Sequence, residues 1–367
     1  MREQPLNIHS IDAQNINPPD ISIILPCYNV ARYLKKCIIS IWENDFSNYE
    51  MIFINDCSTD NTLEILIGFA EEDSRIKIID LKKNGGLANG RKVGIQAAQG
   101  KYIAFIDPDD WIDKGYLSTL YKYVKQDPSL DLVIMPFCYK EFRLLPSIKA
   151  DYIAEFLRDK FGKTQVLTPQ SRIMETFFGR TIISISAWCK LYRTDVLRNL
   201  PDINVFYQED LLLNLYASPR IKKFLITDEV KYHYRSGGGS ATNPKLITDL
   251  LEVIRLKKEW AEKNLPNYKE HYPWICFELK NVIYGWLARL INNGKSKSDI
   301  KGIYDTTITQ AHLDFLATTK DSAPKSYNSE DFQALLSKDF DRIYTRATSR
   351  VSKLNKIKSA IRKLLSY

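Results

Sequence analysis

Three carboxylates fall within four residues at Asp107-Pro108-Asp109-Asp110, directly after the apolar run Tyr102-Ile103-Ala104-Phe105-Ile106. Ionised carboxylates this close repel each other unless a cation sits among them, and hard oxygen donors suit Mg²⁺ or Mn²⁺. Asp and Pro are also ordinary turn residues, so the segment alone is equally a solvated turn. A second acidic pair, Glu209-Asp210, stands before the apolar helical start Leu211-Leu212-Leu213. It reads as a carboxylate able to take a proton from a nucleophile, or as the acidic first turn that a helix dipole favours. His233 and Arg235 precede three consecutive glycines (237–239) and Ser240, and Trp188 and Lys190 form a further aromatic and cationic pair.

These residues are spaced by a regular rhythm of elements. Ile21-Ser22-Ile23-Ile24-Leu25 and Met51-Ile52-Phe53-Ile54 are β-branched apolar runs of the kind that form buried parallel strands. The first ends in the turn Pro26-Cys27-Tyr28-Asn29 and the second in Asn55-Asp56. Helical spacing follows each, through Ala31, Leu34, Ile38 and Ile41, and through Leu63, Leu66 and Ala70, with Asp60 as the expected N-cap. A third strand, Ile76-Lys77-Ile78-Ile79, leads into a glycine-bearing loop and a helix that carries Arg91. The fourth strand ends at Asp107. Four β-α units in succession predict an α/β fold with a mainly parallel sheet and helices on both faces. Tyr28, Asp56, Arg91 and Asp107 then gather at the carboxyl edge of the strands, where such sheets bind ligands.

Composition is that of a folded globular chain, since 44% of its residues are hydrophobic and 26% charged, which excludes wholesale disorder. The net charge of +8 belongs to the end of the chain. Arg342, Arg346, Arg350, Lys353, Lys356, Lys358, Arg362 and Lys363 have no acidic neighbours after position 341, so the remainder is formally neutral. In the same stretch Ile343, Ala347, Val351, Leu354, Ile357 and Ile361 recur at helical spacing. That pattern predicts a basic amphipathic helix on an anionic membrane surface; docking on the protein or a homodimer contact is the alternative. No nucleic-acid partner is expected, because no aromatic interleaving accompanies the cations. The six cysteines lack metal-ligand spacing and read as reduced, buried thiols of a cytoplasmic protein. The polar start of the chain is not a secretory signal, and no run reaches the roughly 20 apolar residues of a spanning helix.

Taken in order, the segments Ile23-Ile24-Leu25-Pro26-Cys27-Tyr28-Asn29, Asn55-Asp56-Cys57-Ser58-Thr59-Asp60, Arg91 three residues before Gly94, Asp107-Pro108-Asp109-Asp110-Trp111 and Glu209-Asp210 resemble the family-2 inverting glycosyltransferases. The resemblance covers residues 20–245 and implies a Rossmann-like GT-A fold acting on a nucleotide-diphospho-sugar. It implies that Pro26 and Tyr28 pack on the nucleotide base, that Asp56 accepts a hydrogen bond from uracil, and that Arg91 reaches the ribose or diphosphate. Asp107 would face the ribose, Asp109 would hold Mn²⁺ or Mg²⁺ with His233, and Asp110 would support the loop or the acceptor. Asp210 would be the general base with Glu209 beside it. Trp188 and Lys190 would face the sugar or acceptor, and Arg235 and Ser240 would grip phosphate under a glycine lid. Lys92 departs from the family pattern, which commonly has Asn there, and Pro108 stands where serine is common.

The organisation expected is a flexible leader (1–19), a nucleotide-sugar half (20–125), an acceptor half (126–245), a helical region (246–341) and the basic amphipathic helix (342–367). The partners expected are a UDP-sugar donor, a glycan or lipid-linked glycan acceptor, and the inner membrane face. The competing readings are a sugar-phosphate nucleotidyltransferase, for which the glycine-rich, Lys/Arg-bearing first loop is missing, and a non-catalytic sugar-nucleotide binding module.

Overall fold

The computed structural model describes residues 6–8, 18–135, 139–142, 165–167, 186–227, 229, 231–236, 245–319 and 330–365; for 6–8, 139–142, 165–167, 236 and 353–365 only the backbone is described. The chain divides into two compact units, Met1–Ser240 and Ala241–Tyr367.

The first unit runs β1 (Leu6–Ile8), β2 (Ile21–Cys27), α1 (Ala31–Trp42), β3 (Tyr49–Asn55), α2 (Thr62–Glu72), β4 (Ile76–Asp80), α3 (Gly86–Ala97), β5 (Tyr102–Phe105), β6 (Trp111–Ile112), α4 (Tyr116–Gln126), β7 (Leu132–Ile134), β8 (Tyr139–Phe142), β9 (Gln165–Leu167), β10 (Lys190–Arg193), α5 (Thr194–Leu197), α6 (Glu209–Ala217), β11 (Phe224–Ile226) and β12 (Tyr232–Ser236). Nine strands form one sheet in the order β1-β4-β3-β2-β5-β10-β7-β11-β9. The pairs from β4 to β5 are parallel, as the four β-α units require. Every residue of β2 and β3 is buried, because helices cover both faces of the sheet. Beyond β5 the strand β10 is antiparallel to both β5 and β7, which joins the two expected halves into one sheet.

The leader differs from expectation. Leu6–Ile8 pairs antiparallel with β4, whose outer edge would otherwise expose unpaired backbone groups. Asp60 also does more than cap one helix. Its Oδ1 accepts from Thr62 N–H at the start of α2, and its Oδ2 from Ala31 N–H at the start of α1, so one carboxylate satisfies donors at two helix ends. Among the described cysteines Cys27, Cys37, Cys189 and Cys276 are buried free thiols, and Cys57 is partly exposed.

The second unit is helical: α7 (Lys245–Asn264), α8 (Tyr272–Asn292), α9 (Lys297–Thr307), α10 (Gln310–Ala317), α11 (Glu330–Ser337) and α12 (Phe340–Leu365). No described helix is long and apolar enough to cross a membrane. The basic helix forms, but its first turns belong to this unit. Ile343 and Ala347 are fully buried, Arg346 binds Asp331 and Glu330, and Arg350 binds Asp331. These residues of the expected membrane-facing stripe are taken up by protein packing, which leaves 353–365 as the part with a lipid-compatible pattern.

Two glycines predict opposite effects. A Cβ on Gly100 would lie 2.5 Å from Ser22 N and 2.8 Å from Ile21 C, backbone that cannot move aside, whereas Gly68 within α2 has nothing within 4 Å. Gly100→Ala should destabilise by about 3 kcal/mol or more and Gly68→Ala should stabilise by about 0.5–1 kcal/mol, read from urea unfolding midpoints. Equal midpoints for the two variants would contradict this packing.

Candidate active site

The carboxyl ends of β2, β3 and β5 form the floor of the site. Pro26 is the buried penultimate residue of β2, and Tyr28 just beyond it is 49% exposed, an accessible ring at the edge of the sheet. Asp56 follows β3 and is buried. Its Oδ1 accepts Gly85 N–H and its Oδ2 accepts Gly86 N–H, both at 2.8 Å, so the glycine loop is pinned over it. Burial pushes the Asp56 carboxyl up, and those two N–H donors oppose the rise. Gly86 has φ +79°, and a Cβ there would also meet the Phe206 ring at 2.8 Å; only glycine suits both constraints.

Above this floor Arg91, from α3, lies buried among three carboxylates. Its Nη1 donates to Glu209 Oε1 at 2.9 Å and lies 2.7 Å from Asp210 Oδ1, and its Nη2 is 3.5 Å from Asp107 Oδ1. Burial pulls Arg91 down, but the charges of Asp210, Glu209 and Asp107 outweigh it and hold the guanidinium above its ordinary range. One cation does not satisfy three anions. Asp107 is pushed up to about 7, by burial first and then by repulsion from Asp210 and its acidic neighbours, against the pull of Arg91. Burial and the Asp210 charge likewise raise Glu209. Asp210 Oδ1 is an ion-pair partner of Arg91 without hydrogen-bond geometry, which leaves that oxygen's acceptor capacity unfilled among the described residues. The acidic pair is turned inward by Gln208, a non-glycine residue at φ 61°. Such a conformation costs on the order of 1–3 kcal/mol and persists where surrounding structure enforces it.

The remaining carboxylates are held from β12. Tyr232 O–H donates to Asp110 Oδ2 at 2.8 Å while its oxygen accepts Asp107 N–H at 3.1 Å, and Arg235 N–H donates to Asp110 Oδ1 at 2.8 Å. Asp110 is pushed up to about 8, chiefly by burial and then by the charge of Asp107. Asp109 stays partly exposed; burial raises its carboxyl, and Arg235 and Arg32 oppose this. Arg235 donates through Nε to Asp109 O and lies over Trp111 and Tyr33 at 5.0 and 4.9 Å.

The family model for glycosyl transferase family 2 matches residues 22–200. Those residues are a family 2 glycosyltransferase domain. Glycosyltransferase GlyA of Streptococcus pneumoniae is 33% identical over 224 residues, 60% of this chain and 31% of its own length. Glycosyltransferase EpsJ of Bacillus subtilis is 32% identical over 228 residues, 61% of this chain and 63% of its own. The minor teichoic acid biosynthesis protein GgaB of Bacillus subtilis is 28% identical over 300 residues, 79% of this chain and 30% of its own. The aligned region thus spans about a third to two thirds of these relatives. The S. aureus TarS 1-349 structure with UDP shares the fold, with TM-score 0.59 and 20% identity over 91% of this chain and 92% of that one. The structure of the same TarS fragment with UDP-GlcNAc gives TM-score 0.60 at 19% identity and the same coverage. The resemblance read from the motifs and the α/β fold are borne out.

Within the first unit the structure brings Asp56, Arg91, Asp107, Asp109, Asp110, Glu209, Asp210 and Arg235 to one edge of the sheet. It gives several of them different partners from those expected. Arg91 is engaged with carboxylates rather than presented to a ribose or diphosphate, since its fork matches either anion. His233 Nε2 is 2.7 Å from Asp113 Oδ1 and its ring stacks on Trp111 at 5.0 Å, so that nitrogen faces Asp113 and not a site shared with Asp109. Trp188 stacks on Tyr232 and Tyr234, at 5.0 and 5.5 Å. Lys190 is fully buried, donates to Ser186 O, and is pushed down to about 8 by burial. Lys190 thus belongs to packing, whereas Trp188 is only partly buried. Lys92 pairs with Asp202 at the surface. Ser240 and glycines 237–239 lie outside the described residues.

Sequence spacing does not single out Tyr232, Arg32 or the Gly85-Gly86 amides. The period-2 alternation around His233 and Arg235 is the signal that places Tyr232 on the opposite face of the same strand.

Removing a partner from a buried ion pair costs about 3–5 kcal/mol because the charges left behind are uncompensated. Arg91→Met should lose stability on that scale. Arg91→Lys should recover little of it, since an ammonium cannot reproduce the fork. An unchanged urea midpoint for Arg91→Met would show that the three carboxylates do not depend on it.

Proposed function

We propose that the chain transfers a sugar from a UDP-sugar to a hydroxyl of a growing surface glycan, with inversion at the anomeric carbon and with a divalent cation bound beside Asp109. The observation that carries this reading is the junction of two functional groups through Arg91. Asp210, the candidate base, and Asp107, at the donor end, are held by one guanidinium. Support for the substrate class comes from the relatives: GgaB is named for teichoic acid biosynthesis, and TarS structures contain UDP and UDP-GlcNAc.

Asp56 has both oxygens on glycine N–H groups, and each retains a lone pair with which to accept from a base N–H. Tyr28 supplies an exposed ring for the base. Asp210 is a carboxylate with unfilled acceptor capacity, the kind of group that can take the proton a hydroxyl loses as it attacks.

The acidic loop fits a divalent cation. Asp107, Asp109 and Asp110 are all raised, chiefly by burial, and hard oxygen donors are what Mg²⁺ and Mn²⁺ select. No described group of three or more acidic, His or Cys side chains forms a complete metal cage. An ion held by one or two carboxylates plus substrate phosphates needs no such cage. When bound, such an ion stabilises charge on the leaving diphosphate.

Asp210→Asn should lower glycosyl transfer by about 10²-fold or more while leaving UDP-sugar binding intact. Transfer at the parental rate would remove Asp210 from the base role. Asp109→Ala should abolish Mn²⁺-dependent UDP binding in calorimetry, and retained metal-dependent binding would place the ion elsewhere.

The acceptor is then a glycan, free or lipid-linked, at the cytoplasmic membrane face, with residues 353–365 as the membrane-contacting segment. A chain truncated after Ser352 keeps the buried Ile343 and Ala347. It should sediment less with anionic liposomes yet retain its thermal unfolding midpoint; unchanged sedimentation would reject the membrane contact.

A further inference from the structure

A cleft of about 730 Å³ lies beside the candidate active site, between α3 and the loop formed by residues 197–206. None of the donor or base assignments uses it. Its size falls within the range of ligand pockets, but its walls differ from the apolar lining usual for small-molecule sites. Five amide side chains line it: Asn84, Asn89, Gln96, Asn199 and Asn204. Three cations, Lys83, Lys92 and Arg198, face one carboxylate, Asp202.

Asp202 pairs with Lys92. Arg198 donates to Gln96 O at 3.0 Å and to Ala98 O at 2.6 Å, carbonyls that satisfy its N–H groups without cancelling its charge. The cleft is therefore net positive. Phe206, 43% exposed, adds an apolar surface to this polar wall.

Amides both donate and accept, which suits hydroxyl groups. An exposed ring suits the C–H face of a sugar or polyol, and unbalanced cations suit phosphate or carboxylate. Position links the cleft to the chemistry. Gly85, in its wall, donates to Asp56. Phe206, against Gly86, stands four residues before Asp210. Leu213, from the helix that Asp210 begins, closes the inner side.

We propose that this cleft binds the trailing units of an anionic glycan acceptor, a chain of sugars or polyols bearing phosphate or carboxylate groups, and directs its end toward Asp210. The assignment deepens the glycosyltransferase reading and rests on it for the direction of the chain.

The test is calorimetry on the full chain with three probes of matched length: glycerol-phosphate oligomers, oligogalacturonate and neutral malto-oligosaccharides, with UDP plus Mn²⁺ titrated separately. At least one anionic probe should bind, and about tenfold or more tighter than the neutral one. Binding of the phosphate probe alone, the carboxylate probe alone, or both identifies the charged group read. Lys83→Glu should weaken the anionic probe by about tenfold, and Asn204→Trp, which fills the cleft, should weaken it at least as much. Both variants should keep the parental UDP affinity. No binding of any probe, equal binding of neutral and anionic probes, or anionic binding unchanged in both variants would overturn the cleft assignment while UDP binding persists. Loss of UDP binding in the parent chain would instead overturn the donor reading.

Discussion

The site depends on one buried guanidinium shared by three carboxylates. Arg91 comes from a helix between the third and fourth parallel strands, Asp107 from the end of the fourth, and Glu209 and Asp210 from a helix 118 residues further along the chain. The segments 20–125 and 126–245, expected from the sequence as two halves, are thus joined by charge as well as by the β5–β10 strand pair. Such a cluster is not an efficient source of stability, because burying four charges costs desolvation energy that their attraction only partly offsets. Its value lies in specification. A carboxylate displaced from this arrangement is left buried and uncompensated, so alternative packings are penalised.

A second polar layer fixes the acidic loop. Tyr232 bonds Asp110 through its hydroxyl proton and Asp107 through its hydroxyl oxygen, so one phenol sets the backbone and the side chains of two turn residues. Arg235, on the opposite face of the same strand as Tyr232 and Tyr234, donates its backbone N–H to Asp110 Oδ1 and its Nε–H to the Asp109 carbonyl. Within the acidic loop, Asp110 is spent on structure and Asp109 is left partly exposed, with Arg235 and Arg32 as its opposing charges. Aromatic rings insulate this arrangement. Trp111 carries Lys36, His233 and Arg235 against its ring, and Trp188 stacks on Tyr232 and Tyr234. His233 and Trp188, which sequence reading offered as a metal ligand and a sugar platform, both make ring contacts with the residues around the carboxylates.

The sequence carries the β-α rhythm openly because β2, β3 and β5 are apolar runs punctuated by polar turns, and each turn must lie at the same sheet edge. Asp56, Arg91, Asp107 and Asp109 follow from that rhythm with no knowledge of long-range pairing, whereas Asp210 rests on the family resemblance. What Arg91 binds does not follow. Its fork suits phosphate and carboxylate equally, and only the fold reveals that Glu209 and Asp210 fill it. Lys190 fails for a related reason: an ammonium beside an indole looks the same whether it faces a sugar or a buried carbonyl, and the deciding acceptor, Ser186 O, lies on a loop without periodicity. The β1 pairing is invisible for another reason, since three residues with two apolar side chains carry no period. The end of the chain shows a partial signal. Helical amphipathicity is plain there, but amphipathicity does not say which partner takes the apolar face, and Asp331 decides it for Arg346 and Arg350.

The three contacts of Arg91 are unequal, and the inequality has a direction. Asp210 and Glu209 lie at 2.7 and 2.9 Å, and Asp107 at 3.5 Å. The loosest partner is the one at the donor end, and it is also a carboxyl pushed up to about 7. Positive charge arriving beside Asp107 would favour its ionised form and satisfy the anion that Arg91 serves least well. It would leave the guanidinium on Glu209 and Asp210, its two nearer partners. In this reading the acidic loop and the base share a limited supply of positive charge, so filling the donor end relieves the competition around Asp210.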